Sequence, residues 1–279
     1  MVAAVLVAAV DAAAAVVADS TQEADMVVAI QTAQAADNAL AHVAVAVGAE
    51  AAVAAAAPRV ALLAGATGLV GRALLAHLLA DPAYSAVHCI GRRASSVSHA
   101  KLTSHIVDFD NLKALPVCDD VFIALGTTIK VAGSQAAFKK VDLDAYLAIV
   151  SAMRASYAIK NKVFNGQRLG VVSAMGADAK SSVFYNRIKG QMEDAVSQAG
   201  FASVSIARPS MLAGDRASLS QAPRLGEQIG LKAMQALAFL IPADYKAIDA
   251  EQVALALLHA VKSGKPGSTV FSSGQLRNM

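Results

Sequence analysis

The first 57 residues contain no lysine and no arginine, and no proline appears before Pro58. A secretory signal needs a positive segment ahead of its apolar stretch, so that reading is excluded for this stretch. Six acidic residues (Asp11, Asp19, Glu23, Asp25, Asp37 and Glu50) interrupt it, and 25 of its residues are alanine. A membrane span needs about 20 predominantly apolar residues, for which alanine is a weak substitute, so no span is expected. Residues 1–57 read as an Ala-rich, low-complexity extension, with a helical docking or targeting arm as the alternative. Cysteine is nearly as scarce: Cys89 and Cys118 are the only two, each in or beside an apolar run. That excludes a disulfide framework and points to a reducing compartment, read as the cytoplasm. The six histidines stand without an HxxxH or CxxC companion, so no metal site is expected.

Beyond the extension, 24 basic groups face 15 acidic ones, a formal balance of +9. Such a balance steers an anionic small molecule toward the protein. The basic residues are dispersed and lack interleaved aromatics, which argues against nucleic acid as a partner.

From Arg59 the texture changes to short aliphatic runs alternating with longer amphipathic segments, the pattern of βαβ units around a parallel sheet. Strands are expected at residues 60–64, 86–90, 104–107, 121–125, 169–173, 203–207 and 268–271. Helices are expected at 69–79, 143–155, 184–198 and 250–262. The fold class is therefore α/β, a doubly wound, mostly parallel sheet occupying residues 58–279, and the glycine motif after its first strand, residues 65–71, makes it the nucleotide-binding Rossmann kind.

Three motifs carry chemistry. The run Gly65-Ala66-Thr67-Gly68-Leu69-Val70-Gly71 joins the first strand to an amphipathic helix. Glycines there permit a tight turn and close approach of backbone to a pyrophosphate, whose charge meets free N–H groups at the helix start. At the end of the second strand stand Gly91-Arg92-Arg93, where a domain selective for NAD would carry an acid for the ribose 2′-hydroxyl. Guanidinium groups suit a 2′-phosphate, so the expected cofactor is NADP(H); two solvated surface arginines are the alternative. Third, Tyr185 and Lys189 lie four residues apart on one helical face, after a strand that closes on Ser173. An ammonium beside the phenol would lower its pKa toward neutrality, and Ser173 would bond the substrate oxygen.

In order along the chain, GATGLVG, IGRR, VDFDNL, ALGTT, FKKVDLDAYL, VVSAMGADAKSSVFYNRIKG and ARPSML resemble the atypical short-chain dehydrogenases/reductases related to the Tat-interacting-protein oxidoreductase. The resemblance implies that Gly65, Thr67, Gly68, Leu69 and Val70, with Gly71 closing the motif, cradle the pyrophosphate. It implies that Arg92 and Arg93 take the 2′-phosphate and that Asp108 and Phe109 border the adenine. Leu125, Gly126 and Thr127 would line the nicotinamide, and Ser173, Tyr185 and Lys189 would form the catalytic set. The implied activity is reduction of a carbonyl with NADPH; the alternative is a regulatory or assembly protein that binds NADPH without turnover. The sequence departs from extended members in two places. Residues 155–167 form a longer link with Asn161 and Asn165, and Asp142 stands where an asparagine is usual, readable as a helix N-cap before Leu143. The substrate pocket is expected around residues 208–249, with Arg216, Arg224 and Glu227 as charged members and residues 231–241 as an apolar helix. The substrate is a small molecule of unread identity, and a homodimer is compatible with these features.

Because the extension has few large apolar side chains (Leu6, Met26, Ile30 and Leu40 besides Met1), a protein starting at Pro58 should bind dinucleotide as the full chain does. Equal dissociation constants and melting temperatures for the two, measured by calorimetry, are the expected outcome. Loss of binding on truncation would make the extension part of the core.

Overall fold

The computed structural model describes residues 58–213 and 243–279. Among them, β1 (Arg59–Ala64), β2 (Tyr84–Gly91), β3 (Leu102–Ile106), β4 (Asp120–Ile123), β5 (Arg168–Val172), β6 (Ser203–Arg208) and β9 (Gly267–Ser272) form one seven-stranded sheet. A separate two-stranded ribbon pairs β7 (Leu212–Ala213) with β8 (Ile248–Asp249). The large sheet has the order β3-β2-β1-β4-β5-β6-β9, and every neighbouring pair is parallel. The expected fold class holds, and each expected strand is present with its ends shifted by at most two residues.

Parallel strands need crossovers, which put helices on both faces and bury the strands between them. The alternation within β1 shows how. Ala61 and Leu63 face α1 (Leu69–Ala80) and the later helix Ala250–Ser263, while Leu62 and Ala64 face the two intervening helices. Those are α2 (Ala145–Ile159) and α3 (Phe184–Ser197), so Ala250–Ser263 becomes α4. α1 buries Val70, Leu74, Leu75, Leu78 and Leu79, a stripe at helical spacing. It ends at Asp81, ahead of Pro82, whose ring cannot continue a helix.

Two expectations at α2 change. The helix continues to Ile159, so the long link expected over 155–167 is a loop only from Lys160 onward, with Asn161 at φ 51°. At its start, Lys140–Asp144 form a π-helical turn that runs directly into α2. Asp142 is fully buried inside that turn, so it is not the helix N-cap its position suggested. Residues 1–57, with Arg216, Arg224, Glu227 and residues 231–241 of the expected pocket, lie outside the described residues.

At the opposite edge from the chemistry, the strands are clamped by one acid. Asp120 opens β4 fully buried and accepts from Arg59 Nε (2.6 Å) and Nη2 (2.5 Å) and from the Tyr84 hydroxyl (2.8 Å). β1, β2 and β4 therefore share one carboxylate at their starts. Removing one partner of a buried pair strands the other. Asp120→Ala should cost about 3 kcal/mol of stability in urea unfolding. A loss below about 1 kcal/mol would show the clamp to be dispensable.

Candidate dinucleotide and catalytic site

The order of strands reverses between β1 and β4, which leave the sheet toward opposite edges and open a crevice beyond their C-terminal ends. Gly65 occupies that point at φ 94°, and a Cβ there would sit 2.5 Å from the Ala124 carbonyl oxygen and 3.0 Å from the Leu125 nitrogen. Only glycine fits both the left-handed backbone and the contact. Gly71, one turn into α1, faces Gly65 so closely that a Cβ would fall onto its carbonyl oxygen. Gly68 differs: a Cβ there meets only ordinary contacts, 3.5 Å and beyond. It stands at the N-cap of α1, which starts at Leu69 with no side-chain cap and no acid in its first turn. Thr67 is exposed beside it, and Leu69 is partly exposed while Val70 is buried. The loop therefore offers backbone donors and the positive end of a helix, which suits a phosphate.

At one end of this crevice, β2 and β3 finish together, tied by the Val107 N–H donating to the Gly91 carbonyl (2.9 Å). Arg92 and Arg93 follow β2, both exposed. The Asp108 carboxylate accepts from the Asp110 N–H (3.0 Å) and Asn111 Nδ2 (2.9 Å), capping the short turn that carries Phe109. Those two bonds hold the exposed carboxyl below its ordinary range, the Asn111 bond foremost.

At the other end, Leu125, Gly126 and Thr127 follow β4, and Ser173 follows β5 with its N–H donating to Ala207 of β6 (2.7 Å). The Ser173 hydroxyl is buried and has no hydrogen-bond partner among the described residues. Tyr185 and Lys189 come from the first turns of α3, as expected. Gly190 lets that helix press on the loop after Ser173, since a Cβ would strike Ala179 N and Asp178. The Asp178 N–H donates to the Asn186 carbonyl (3.0 Å), and the Met175 N–H donates to the Pro209 carbonyl (3.0 Å). These contacts tie the loop that follows Ser173 to the helix bearing Tyr185 and Lys189 and to the end of β6. Phe138 completes the setting, its ring centroid 5.3 Å from that of Tyr185 and 6.0 Å from that of Phe184.

Three residues unassigned in the sequence reading belong to this end. Lys189 Nζ lies 2.8 Å from Asp142 Oδ1, both side chains buried. Asp142 Oδ2 accepts the Thr127 N–H at 3.0 Å. Tyr146, four residues on and fully buried, shares its hydroxyl proton between the carbonyls of Leu125 (2.6 Å) and Val172 (3.1 Å), which pins the ends of β4 and β5. The third is Phe138. The Asp142-to-Tyr146 spacing was the one available signal, because both sit in the FKKVDLDAYL run.

The expected lowering of the Tyr185 pKa is reversed. Burial, and then the negative charge of Asp142, push its phenol up to about 12. Lys189 spends its charge on Asp142 instead.

Past Ser173, the C-terminal ends of β5, β6 and β9 surround a cavity of about 290 Å³, lined by Met175, Arg208, Asp244, Tyr245, Val270 and Ser272 among others. Its two charged side chains are engaged: Arg208 with Glu193 (Nε to Oε1, 2.9 Å), and Asp244 with the Gly274 N–H (2.8 Å).

With this geometry in view, the NAD dependent epimerase/dehydratase family matches residues 61–175. The mitochondrial protein fmp52 of Emericella nidulans is 39% identical over 165 residues, 55% of this chain and 67% of that protein. The chain belongs to this short-chain dehydrogenase/reductase family. The HTATIP2 protein of Rattus norvegicus is 33% identical over 175 residues, covering 60% of this chain and 67% of its own length. Among solved structures, a short chain dehydrogenase from Leptospira borgpetersenii with bound NAD+ superposes with a TM-score of 0.57 at 11% identity, covering 78% of this chain and 92% of that one. The family binds nicotinamide dinucleotides and is oxidoreductase-like. No helix among the described residues is long and apolar enough to cross a membrane. The cytoplasmic placement is corrected: fungal relatives, including those of Emericella nidulans and Candida albicans, are named mitochondrial. The earlier reading rested on two free thiols, Cys89 and Cys118, both buried; buried thiols survive in any compartment that keeps thiols reduced.

The glycines separate two effects. Gly71→Ala should lower the melting temperature by several degrees, since the backbone of Gly65 must move. Gly68→Ala should melt near wild type yet bind dinucleotide at least tenfold more weakly, about 1.4 kcal/mol. Fluorimetry and calorimetry read both. Two variants with the same profile would contradict the assignment.

Proposed function

We propose that this chain is an NADPH-dependent reductase acting on a carbonyl group. The observation that carries the reading is the Ser173 hydroxyl, buried and without a hydrogen-bond partner among the described residues, at the start of a loop packed on the helix that presents Tyr185 and Lys189. A buried hydroxyl without a partner costs free energy, so its retention fits a group that completes its bonding only when substrate arrives. The backbone turn at Gly65, Thr67, Gly68, Leu69, Val70 and Gly71 would hold the pyrophosphate. Arg92 and Arg93 would hold a 2′-phosphate, with Asp108 and Phe109 at the adenine and Leu125, Gly126 and Thr127 along the nicotinamide. When bound, the nicotinamide supplies the hydride.

The protein's part is oxygen chemistry. Ser173 donates to the carbonyl oxygen, and Tyr185 gives the proton that turns it into an alcohol. The phenolate left behind recovers its proton from solvent. A phenol held near 12 is neutral at physiological pH, which suits the donating direction, reduction, better than the accepting one. Lys189 is asked to hold the cofactor ribose and to steady the phenolate as it forms.

A second reading has one observation in its favour. The two charged side chains lining the 290 Å³ cavity, Arg208 and Asp244, are already bonded to Glu193 and to the Gly274 N–H. A dinucleotide-binding regulatory or assembly protein without turnover would look the same there. Turnover separates the two.

Calorimetry should show NADPH bound at least tenfold more tightly than NADH, about 1.4 kcal/mol, and Arg92→Ala/Arg93→Ala should erase that gap. Equal affinities in the parent protein would refute the NADPH assignment. On a carbonyl panel with NADPH, Tyr185→Phe should cut turnover by roughly 10²- to 10⁴-fold with cofactor affinity kept. Between pH 6 and 9 the parent rate should not fall from loss of the phenol proton. Near-normal turnover by Tyr185→Phe would remove the tyrosine from the mechanism, and no turnover on any carbonyl would favour the second reading.

A further inference from the structure

Asp142 is the most deeply buried acid at the site, and its two oxygens do different things. Oδ2 accepts the Thr127 N–H (3.0 Å), on the loop assigned to the nicotinamide, while Oδ1 faces the ammonium of Lys189 (2.8 Å). Gly126 lies between them: a Cβ there would stand 3.5 Å from Oδ1 and 3.9 Å from Lys189 Nζ. The π-helical turn at Lys140–Asp144 supplies the geometry. Such turns insert an extra residue that re-aims a side chain, and they recur at functional positions. An asparagine could keep the bond to Thr127. Only an anion can also hold the lysine.

We propose that Asp142 is a positioning residue that holds Lys189 against the Leu125–Gly126–Thr127 loop, so that in the ligand-free protein the lysine's charge is withheld from Tyr185. The inference rests on the reading of Ser173, Tyr185 and Lys189 as the reactive set. The groups coupled to the phenol support it. Asp142 from the π turn raises the Tyr185 pKa after burial, and the neighbouring titratable groups are Tyr146 from α2 and Lys189 from α3 itself. Removing the carboxylate therefore both deletes a raising charge and frees an ammonium.

The test needs no substrate. In the full chain, tyrosinate formation is followed by ultraviolet difference absorbance against a Tyr185→Phe protein, so that only this phenol is read. Asp142→Asn, which keeps size and the acceptor for Thr127, should ionise Tyr185 about one pH unit lower than the parent. Lys189→Met should move it the other way, because Asp142 then stands beside the phenol uncompensated. Asp142→Asn should melt within a few degrees of the parent, and the double variant Asp142→Asn/Lys189→Met covers the case in which Lys189→Met alone does not fold. Unchanged tyrosine titration in a folded Asp142→Asn protein, or the same titration in Asp142→Asn with and without Lys189, would overturn the proposal. Either result would leave the reductase reading to be judged by its own turnover assays. If turnover is absent while the titration shifts as stated, the reductase reading fails and the positioning role stands.

Discussion

The close approach of Gly65 to the Ala124 carbonyl, where β1 and β4 turn away from each other, is the constraint on which the rest of the site depends. A sheet whose strands all run one way delivers every strand's C-terminal end to one edge. The phosphate loop, the arginines after β2, the loop after β4 and Ser173 after β5 therefore arrive together without any of them being neighbours in sequence. A side chain at residue 65 would push β4 aside, and with it the Leu125–Gly126–Thr127 backbone that Asp142 and Tyr146 hold from below.

The reactive end is built around a buried charge pair, which is a weak source of stability because desolvation offsets most of the attraction. Asp142 and Lys189 therefore make better sense as geometry than as glue. The acid also reaches Thr127, so one side chain links the loop after β4, α3 and the turn that leads into α2. Stability comes from elsewhere, from two apolar layers on either face of the sheet, while the Asp120 clamp aligns the strand starts at its far edge.

Much of this was legible in the residues. The central strands are apolar on both faces, so runs such as VALLA after Arg59 stand out, and glycines fall where a turn requires them. Ser173 at the end of β5 and the Tyr185–Lys189 pair on one face of α3 stand where local patterns put them, a serine closing a strand and a Tyr–Lys pair four apart; their catalytic role is a proposal. What stayed hidden was long-range. The Asp142–Lys189 contact depends on a π turn that shifts Asp142 from a surface cap to the interior, and no local pattern announces it. For the same reason the phenol's pKa was expected to fall: spacing puts Lys189 on the face of Tyr185, but says nothing of the acid that takes the lysine. Compartment was misread because a small number of buried thiols reports only reducing conditions.

The central claim is that the loop at Gly65–Gly71 and the loop after β4 together hold one nicotinamide dinucleotide. Native mass spectrometry of the purified full chain, incubated with NADPH and desalted gently, reads this directly. One dinucleotide per chain, lost in Gly68→Ala, is the predicted result. A chain that stays at its bare mass with NADPH and with NADH would contradict the account.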